Sequence, residues 1–248
     1  MNRLENKVAV VTGASKGIGV SIAMHLAAEG ASVVVNYLTG KDGADKVVAE
    51  IAAAGGNAIA VGADVSSGHG IAKLFGETKA AFGRVDILVN NAGVYGFGLL
   101  ESVTAEAWHR EFNLNVLGLL LTTQAALSLF PETGGSVINI GSRVSTVAPA
   151  GSSVSAASKA AVDAVTKSLA KELGPRKIRV NSVNPGVVMT EGFVSAGLAD
   201  SPMEKNNVAL TPLGRIGQPD DIGPPVVFLA SEDARWITGE TMIVSGGE

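Results

Sequence analysis

The 248-residue sequence has no cysteine, few charged residues (17% Asp, Glu, Lys and Arg) and no long uninterrupted hydrophobic run. Without thiols there is neither a disulfide framework nor a thiolate metal site. The three histidines, His25, His69 and His109, are far apart and none falls in an HExxH pattern, so no metal centre is expected. No window reaches the roughly 18 apolar residues of a membrane span. The opening stretch MNRLENKVAVVTGA passes from a short charged prelude into an apolar run and a glycine turn, unlike a secretory signal with its cleavage site. With 19 basic and 23 acidic side chains, a formal net charge of -4 gives no electrostatic reason to bind nucleic acid or an anionic membrane. A soluble, cytoplasmic protein is expected.

What the sequence has in quantity is apolar material, 46% of residues, enough for a sheet buried on both faces and too much for disorder. Short Val- and Ile-rich runs alternate with longer Ala-rich stretches, the pattern of βα units feeding a parallel sheet. Seven strands are expected near Lys7–Thr12, Ala31–Asn36, Ala58–Val61, Val85–Asn90, Ser136–Ile140, Arg179–Asn184 and Met242–Val244. Six helices fall between them: Gly17–Glu29, Gly43–Ala54, Gly68–Phe82, Ala105–Leu129, Ser153–Leu173 and Asp220–Leu229. No linker or repeat divides residues 1–248, so one domain is expected. Residues 187–217, with prolines, glycines and mixed polar residues, break the rhythm just after a strand end, and a substrate-covering loop is expected there.

The strongest local signal runs from the first strand into the first helix: Thr12-Gly13-Ala14-Ser15-Lys16-Gly17-Ile18-Gly19. Gly13 suits a tight turn, Gly17 lets a diphosphate approach the backbone, and Gly19 permits close helix packing at a helix N-terminus rich in amide donors. Lys16 is followed by glycine with no GK[ST] ending, so this is a dinucleotide turn rather than a Walker sequence. At the end of the second strand, Asn36-Tyr37 stands where an NAD site places a carboxylate on the ribose diol. Its absence, with Lys16 and Lys41 nearby in sequence, favours NADP, with NAD as the alternative. Asp64-Val65 and Asn90-Asn91-Ala92-Gly93 end the third and fourth strands, lining the path of a ligand laid across the sheet.

These motifs, with Asn115, Ser142, Lys159, Pro185-Gly186 and Thr190 following in order, cover essentially the whole chain. The sequence thereby resembles the short-chain dehydrogenase/reductase family, particularly its bacterial 3-oxoacyl-carrier-protein reductase and glucose or alcohol dehydrogenase branch. The resemblance implies a single-domain Rossmann-type α/β/α sandwich, bound NADP(H) or NAD(H), and a homotetramer or homodimer. It implies hydride transfer between nicotinamide C4 and a small carbonyl or secondary alcohol. By the same resemblance Ser142 would hold the substrate oxygen, Lys159 the nicotinamide ribose and Asn115 a water leading to that lysine, with Pro185, Gly186, Val188 and Thr190 beside the carboxamide.

One position departs from the family pattern. Tyrosine is expected four residues before the lysine, but the frame reads Ser155-Ala156-Ala157-Ser158-Lys159. The i,i+4 spacing still places Ser155 and Lys159 on one helical face. A serine hydroxyl is shorter by a phenyl ring and lacks a phenol's pKa of roughly 10, and a well-placed general acid typically contributes about 10²–10⁴-fold. Impaired activity is expected, or alternatively a catalytically silent dinucleotide-binding or assembly subunit. Tyr95 is a remote substitute donor, Arg143 a candidate for an anionic substrate group, and Asp163 is expected on the helix surface.

Overall fold

Runs such as VAVV at Val8–Val11 and ILVN at Ile87–Asn90 are buried along their whole length, because helices cover both faces of the sheet they build. The computed structural model describes residues 2–248. Its seven strands are β1 (Val8–Val11), β2 (Ser32–Tyr37), β3 (Ala58–Gly62), β4 (Ile87–Asn90), β5 (Gly135–Ile140), β6 (Ile178–Pro185) and β7 (Thr241–Val244). The α-helices are α1 (Gly17–Ala28), α2 (Lys41–Ala53), α3 (Gly68–Phe82), α4 (Ala105–Phe112), α5 (Leu119–Ala126), α6 (Val144–Val147), α7 (Ser153–Leu173), α8 (Glu191–Ser195), α9 (Pro202–Leu210) and α10 (Gly223–Ala230).

All seven strands are parallel, in the order β3-β2-β1-β4-β5-β6-β7. The chain builds outward from β1 to β3, then returns to lay β4 on the other side of β1. The crevice between the ends of β1 and β4 is therefore the topological switch point, where ligands bind in open α/β sheets. Alternate β-residues feed two separate apolar layers. Ala9, Val11, Val33 and Val35 pack with Ile22 and Leu26 of α1 and Val226 of α10, whereas Val10, Val34, Leu88 and Val180 pack with Leu74 of α3 and Leu173 of α7. The result is the three-layer Rossmann-type sandwich that the βα rhythm and the resemblance led us to expect.

Two expectations need correction. The single helix expected over Ala105–Leu129 is interrupted by a π-helical turn at Asn113–Gly118, which separates α4 from α5. Apolar periodicity does not register one extra residue per turn, and such bulges recur at functional sites. Here the turn carries Asn115, and its last residue, Gly118, lies so close to the chain leaving β3 that an added Cβ would stand 2.8 Å from the Val65 carbonyl. Residues 187–217, read as lacking regular structure, contain α8 and α9, with Thr190 and Ser201 accepting backbone amides at their N-caps. The excursion starts and ends at one point, where Met189 N–H donates to Gly217 (2.9 Å) and Gly217 N–H to Val187 (2.9 Å).

Candidate active site at the switch point

The turn after β1 is held from three sides. Gly13 has φ +62°, and a Cβ there would meet the Ala92 Cα at 3.0 Å. A Cβ on Gly19 would stand 2.5 Å from the Gly13 carbonyl and 2.6 Å from Asn91 Nδ2, so α1 starts directly against the turn. Thr12 Oγ1 accepts the Asn91 and Ala92 amides (both 2.9 Å), while Asn91 Nδ2 donates to the carbonyls of Thr12 (2.8 Å) and Gly13 (3.0 Å). Asn91 and Ala92 thus lock β4 to β1 across the crevice. Ser15 is wedged against Gly40, where a Cβ would lie 2.6 Å from its hydroxyl. Ile18 packs on the α1 side of the core, and Lys16 is exposed at the N-cap of α1 without capping it.

Asn36 does a different job from the one its position suggested. It is 2% exposed; its Oδ1 accepts the Gly13 amide (3.2 Å) and its Nδ2 donates to the Val61 (3.2 Å) and Ala63 (3.0 Å) carbonyls. With all these groups satisfied by backbone, it supports the turn from beneath. The Tyr37 ring lies over Gly62 at the end of β3. Asp64 Oδ1 is engaged by the Ser66 amide (2.8 Å) and hydroxyl (2.7 Å), and Val65 is buried. Lys41 pairs with Asp45 one turn along α2, which leaves Lys16 as the open cation of the two.

At the ends of β4 and β5 several polar groups converge. Asn115 Oδ1 accepts the Val94 amide (2.9 Å), and its Nδ2 donates to the Val94 carbonyl (2.8 Å) and the Ser158 hydroxyl (3.0 Å). Lys159 Nζ donates to the Ile140 carbonyl (2.8 Å). A Cβ on Gly93 would stand 3.2 Å from Asn115 Oδ1 and 3.6 Å from Lys159 Nζ, so a side chain there would crowd Asn115 and enter the space between them. Burial lowers the Lys159 ammonium to about 8, against the raising influence of Asp163 and Glu111. Asp163 is half-buried and accepts Asn184 Nδ2 (2.9 Å), tying α7 to β6 instead of decorating the helix surface. Ser142, half-buried, accepts the Val144 amide (3.2 Å) at the start of α6. Ser155 is buried on α7, one turn before Lys159.

Two acids that sequence reading passed over belong to this region. Glu111, on α4 one turn before Asn115, is 1% exposed. Glu191 begins α8, and its carboxylate accepts the Gly17 amide at 2.8 Å, at the N-terminus of α1. The signal for Glu111 was its i,i+4 relation to Asn115; for Glu191 it was adjacency to Thr190. Around them, Pro185 ends β6, Gly186 N–H donates to Val244 (3.0 Å), Val188 is buried, and Thr190 caps α8. Met189, Thr190, Glu191, Val194, Ser195 and Pro219 line a recess of about 400 Å³ beside the crevice. Tyr95 is 54% exposed and stacks edge-on with Phe97, and Arg143 is paired with Glu248 (2.5 Å) instead of standing free for a substrate anion.

The site can take a dinucleotide: the glycines leave a cradle that a Cβ would fill, and the first turn of α1 carries no acidic residue. Among the described residues no group of three or more His, Asp or Glu could hold a metal ion, and no helix is long and apolar enough to cross a membrane.

Residues 13–248 match the family described as enoyl-(acyl carrier protein) reductase. The chain is 58% identical over 247 residues to an uncharacterized oxidoreductase of Methylorubrum extorquens, covering 100% of this chain and 99% of that protein. Among solved structures it is similar to a blue fluorescent protein from a metagenomic library in complex with NADPH, at TM-score 0.92 and 38% identity, covering 99% of this chain and 98% of the other. A short-chain dehydrogenase of Burkholderia cenocepacia in complex with NADP gives the same TM-score, identity and coverage.

Proposed function

The chain belongs to the short-chain dehydrogenase/reductase superfamily, and from that premise we propose that it is an NADP(H)-preferring oxidoreductase scaffold for a small carbonyl or secondary alcohol, impaired by Ser155. The observation that carries the reading is the meeting of Asn115, Lys159 and the Gly93 gap at the end of β4, directly beside the glycine turn. NADP(H), when bound, supplies or accepts hydride at nicotinamide C4. Preference for the phosphorylated form is supported by Lys16, exposed at the turn, by the lack of a carboxylate at Asn36-Tyr37, and by relatives crystallised with NADPH and NADP.

In this reading Gly13, Ser15, Gly17 and Gly19 form the diphosphate wall, with Ile18 beneath it. Tyr37, Asp64 and Val65 bound the adenine end, while Asn91, Ala92 and Gly93 floor the crevice. Pro185, Gly186, Val188 and Thr190 border the nicotinamide amide. The Lys159 ammonium, lowered to about 8, binds the ribose. Ser142 holds the substrate oxygen, and Asn115 fixes the strand-end loop through Val94. Residues 187–217 cover the substrate, and the protein works as a homodimer or homotetramer.

The test compares NADPH binding and NADPH oxidation over a panel of small carbonyls for the natural chain and Ser155→Tyr. Both forms are expected to bind NADPH, with turnover rising about 10²-fold or more in the tyrosine form, the span of a well-placed general acid. Binding by both with turnover only in the tyrosine form would make the natural chain a silent dinucleotide-binding subunit. Failure of both to bind NADPH would overturn the assignment.

A further inference from the structure

Glu111 is a fully buried acid, 1% exposed, and its Oε2 has no hydrogen-bond partner. Its carboxyl faces the Ser155 hydroxyl and the Gly96 amide, within electrostatic reach of Lys159. A Cβ on Gly96 would stand 3.2 Å from Oε1, so the loop after β4 closes over the group. Helix α4 therefore turns an acid inward toward the residue where a phenol is missing, while Trp108 on the same helix is 42% exposed. Hydrophobic burial alone does not favour a carboxyl at such a position.

We infer that Glu111 holds the proton exchanged with the substrate oxygen and passes it through Ser155, with a solvent molecule standing where a phenol ring would reach. The inference rests on the oxidoreductase reading above. In carbonyl reduction the electron pair of the transferred hydride goes to the carbonyl carbon. The solvent molecule gives a proton to the carbonyl oxygen and takes one from Ser155 Oγ, and Ser155 takes the Glu111 proton. A Glu111 carboxylate remains, to be reprotonated from solvent; alcohol oxidation runs the chain backwards. Glu111 is thus a positioning and proton-holding residue behind Ser155.

The surroundings favour the protonated form of this carboxyl more than water does. Burial pushes Glu111 above the ordinary carboxylate range. Arg110 on α4, Lys159 on α7, the Ser155 hydroxyl and the Gly96 amide pull it back, and Asp163 faces Lys159 in turn. The protonated acid is the donor, so carbonyl reduction falls as pH rises through the Glu111 pKa.

The experiment uses the full chain, Glu111→Gln, Ser155→Tyr and the double variant. In the cofactor-free protein, difference infrared spectroscopy at neutral pH is expected to show a carboxylic acid C=O band that Glu111→Gln removes. With NADPH and the carbonyl panel, Glu111→Gln is expected to lower turnover about 10²-fold and to abolish the falling limb of the pH profile. The double variant, which carries its own phenol, should keep the turnover of Ser155→Tyr, which separates proton supply from damage to the fold. Absence of the infrared band, or a Glu111→Gln rate and pH profile equal to those of the natural chain, overturns the inference. If Ser155→Tyr binds NADPH but oxidises it with no carbonyl, the oxidoreductase reading fails instead, and the infrared band alone then decides whether Glu111 holds a proton.

Discussion

Replacing Glu191 with glutamine should tighten NADPH binding. The glycine turn offers its amides to a diphosphate, yet the Gly17 N–H is already given to the Glu191 carboxylate at 2.8 Å. A dianionic diphosphate at the same place must displace that carboxylate and then lie beside it. The contact is exposed, so its worth is that of a charge at a helix N-terminus, about 0.3–1 kcal/mol. Residual repulsion at about 4 Å in near-bulk water adds on the order of 1 kcal/mol. Together these give about 1–2 kcal/mol, or about 5- to 30-fold in Kd. Glutamine keeps the shape and a neutral acceptor while removing the charge, and at an exposed helix start it should leave Tm nearly unchanged, within about 2–4 °C. Fluorescence titration of NADPH at low and high salt reads both the gain and its origin, because an electrostatic gain shrinks as salt is added. Equal or weaker binding by Glu191→Gln, at nearly unchanged Tm, would refute the idea that this carboxylate competes for the phosphate position.

Asn36→Asp should not convert the protein to NAD preference, because the side chain is buried beneath the turn. It should instead lower Tm, since a carboxylate would face the Val61 and Ala63 carbonyls without a donor, at a cost of about 1–3 kcal/mol or more. Thermal unfolding and the NADPH-to-NADH binding ratio check both halves. Lys159→Met should stabilise the fold, most of all near neutral pH. The lysine's folded pKa, about 8, lies below its ordinary 10.5, so holding its charge opposes folding below pH 8, and this burden lifts as pH rises from 8 to 10.5. The advantage of the variant, about 1–3 kcal/mol after allowing for partial exposure, should therefore shrink over that window, as read by denaturant unfolding across pH.

Where physics acts locally and repeatedly, the sequence was transparent. Val and Ile runs marked all seven strands, Ser153–Leu173 was bounded as a helix to the residue, and the glycine turn lay at its expected strand-to-helix junction. Elsewhere the determining forces were non-local. The role of Asn36 depends on carbonyls of β3, and that of Asp163 on Asn184 of β6, neither visible from neighbours in sequence. The π-helical turn at Asn113–Gly118 is an irregularity of one residue inside an otherwise helical pattern. Glu111 was hidden for a different reason: a charged side chain on a short helix reads as solvent-facing, yet the fold buries it, while Trp108, one turn before it on the same side of α4, stays 42% exposed. A helix that leaves its tryptophan 42% exposed, stacked on Phe112, and buries a carboxyl sets local preference against global structure. Such conflicts gather where a side chain serves chemistry more than stability. On the proposal above, the buried acid on α4 and Ser155 on α7 would act together, with the proton held on α4.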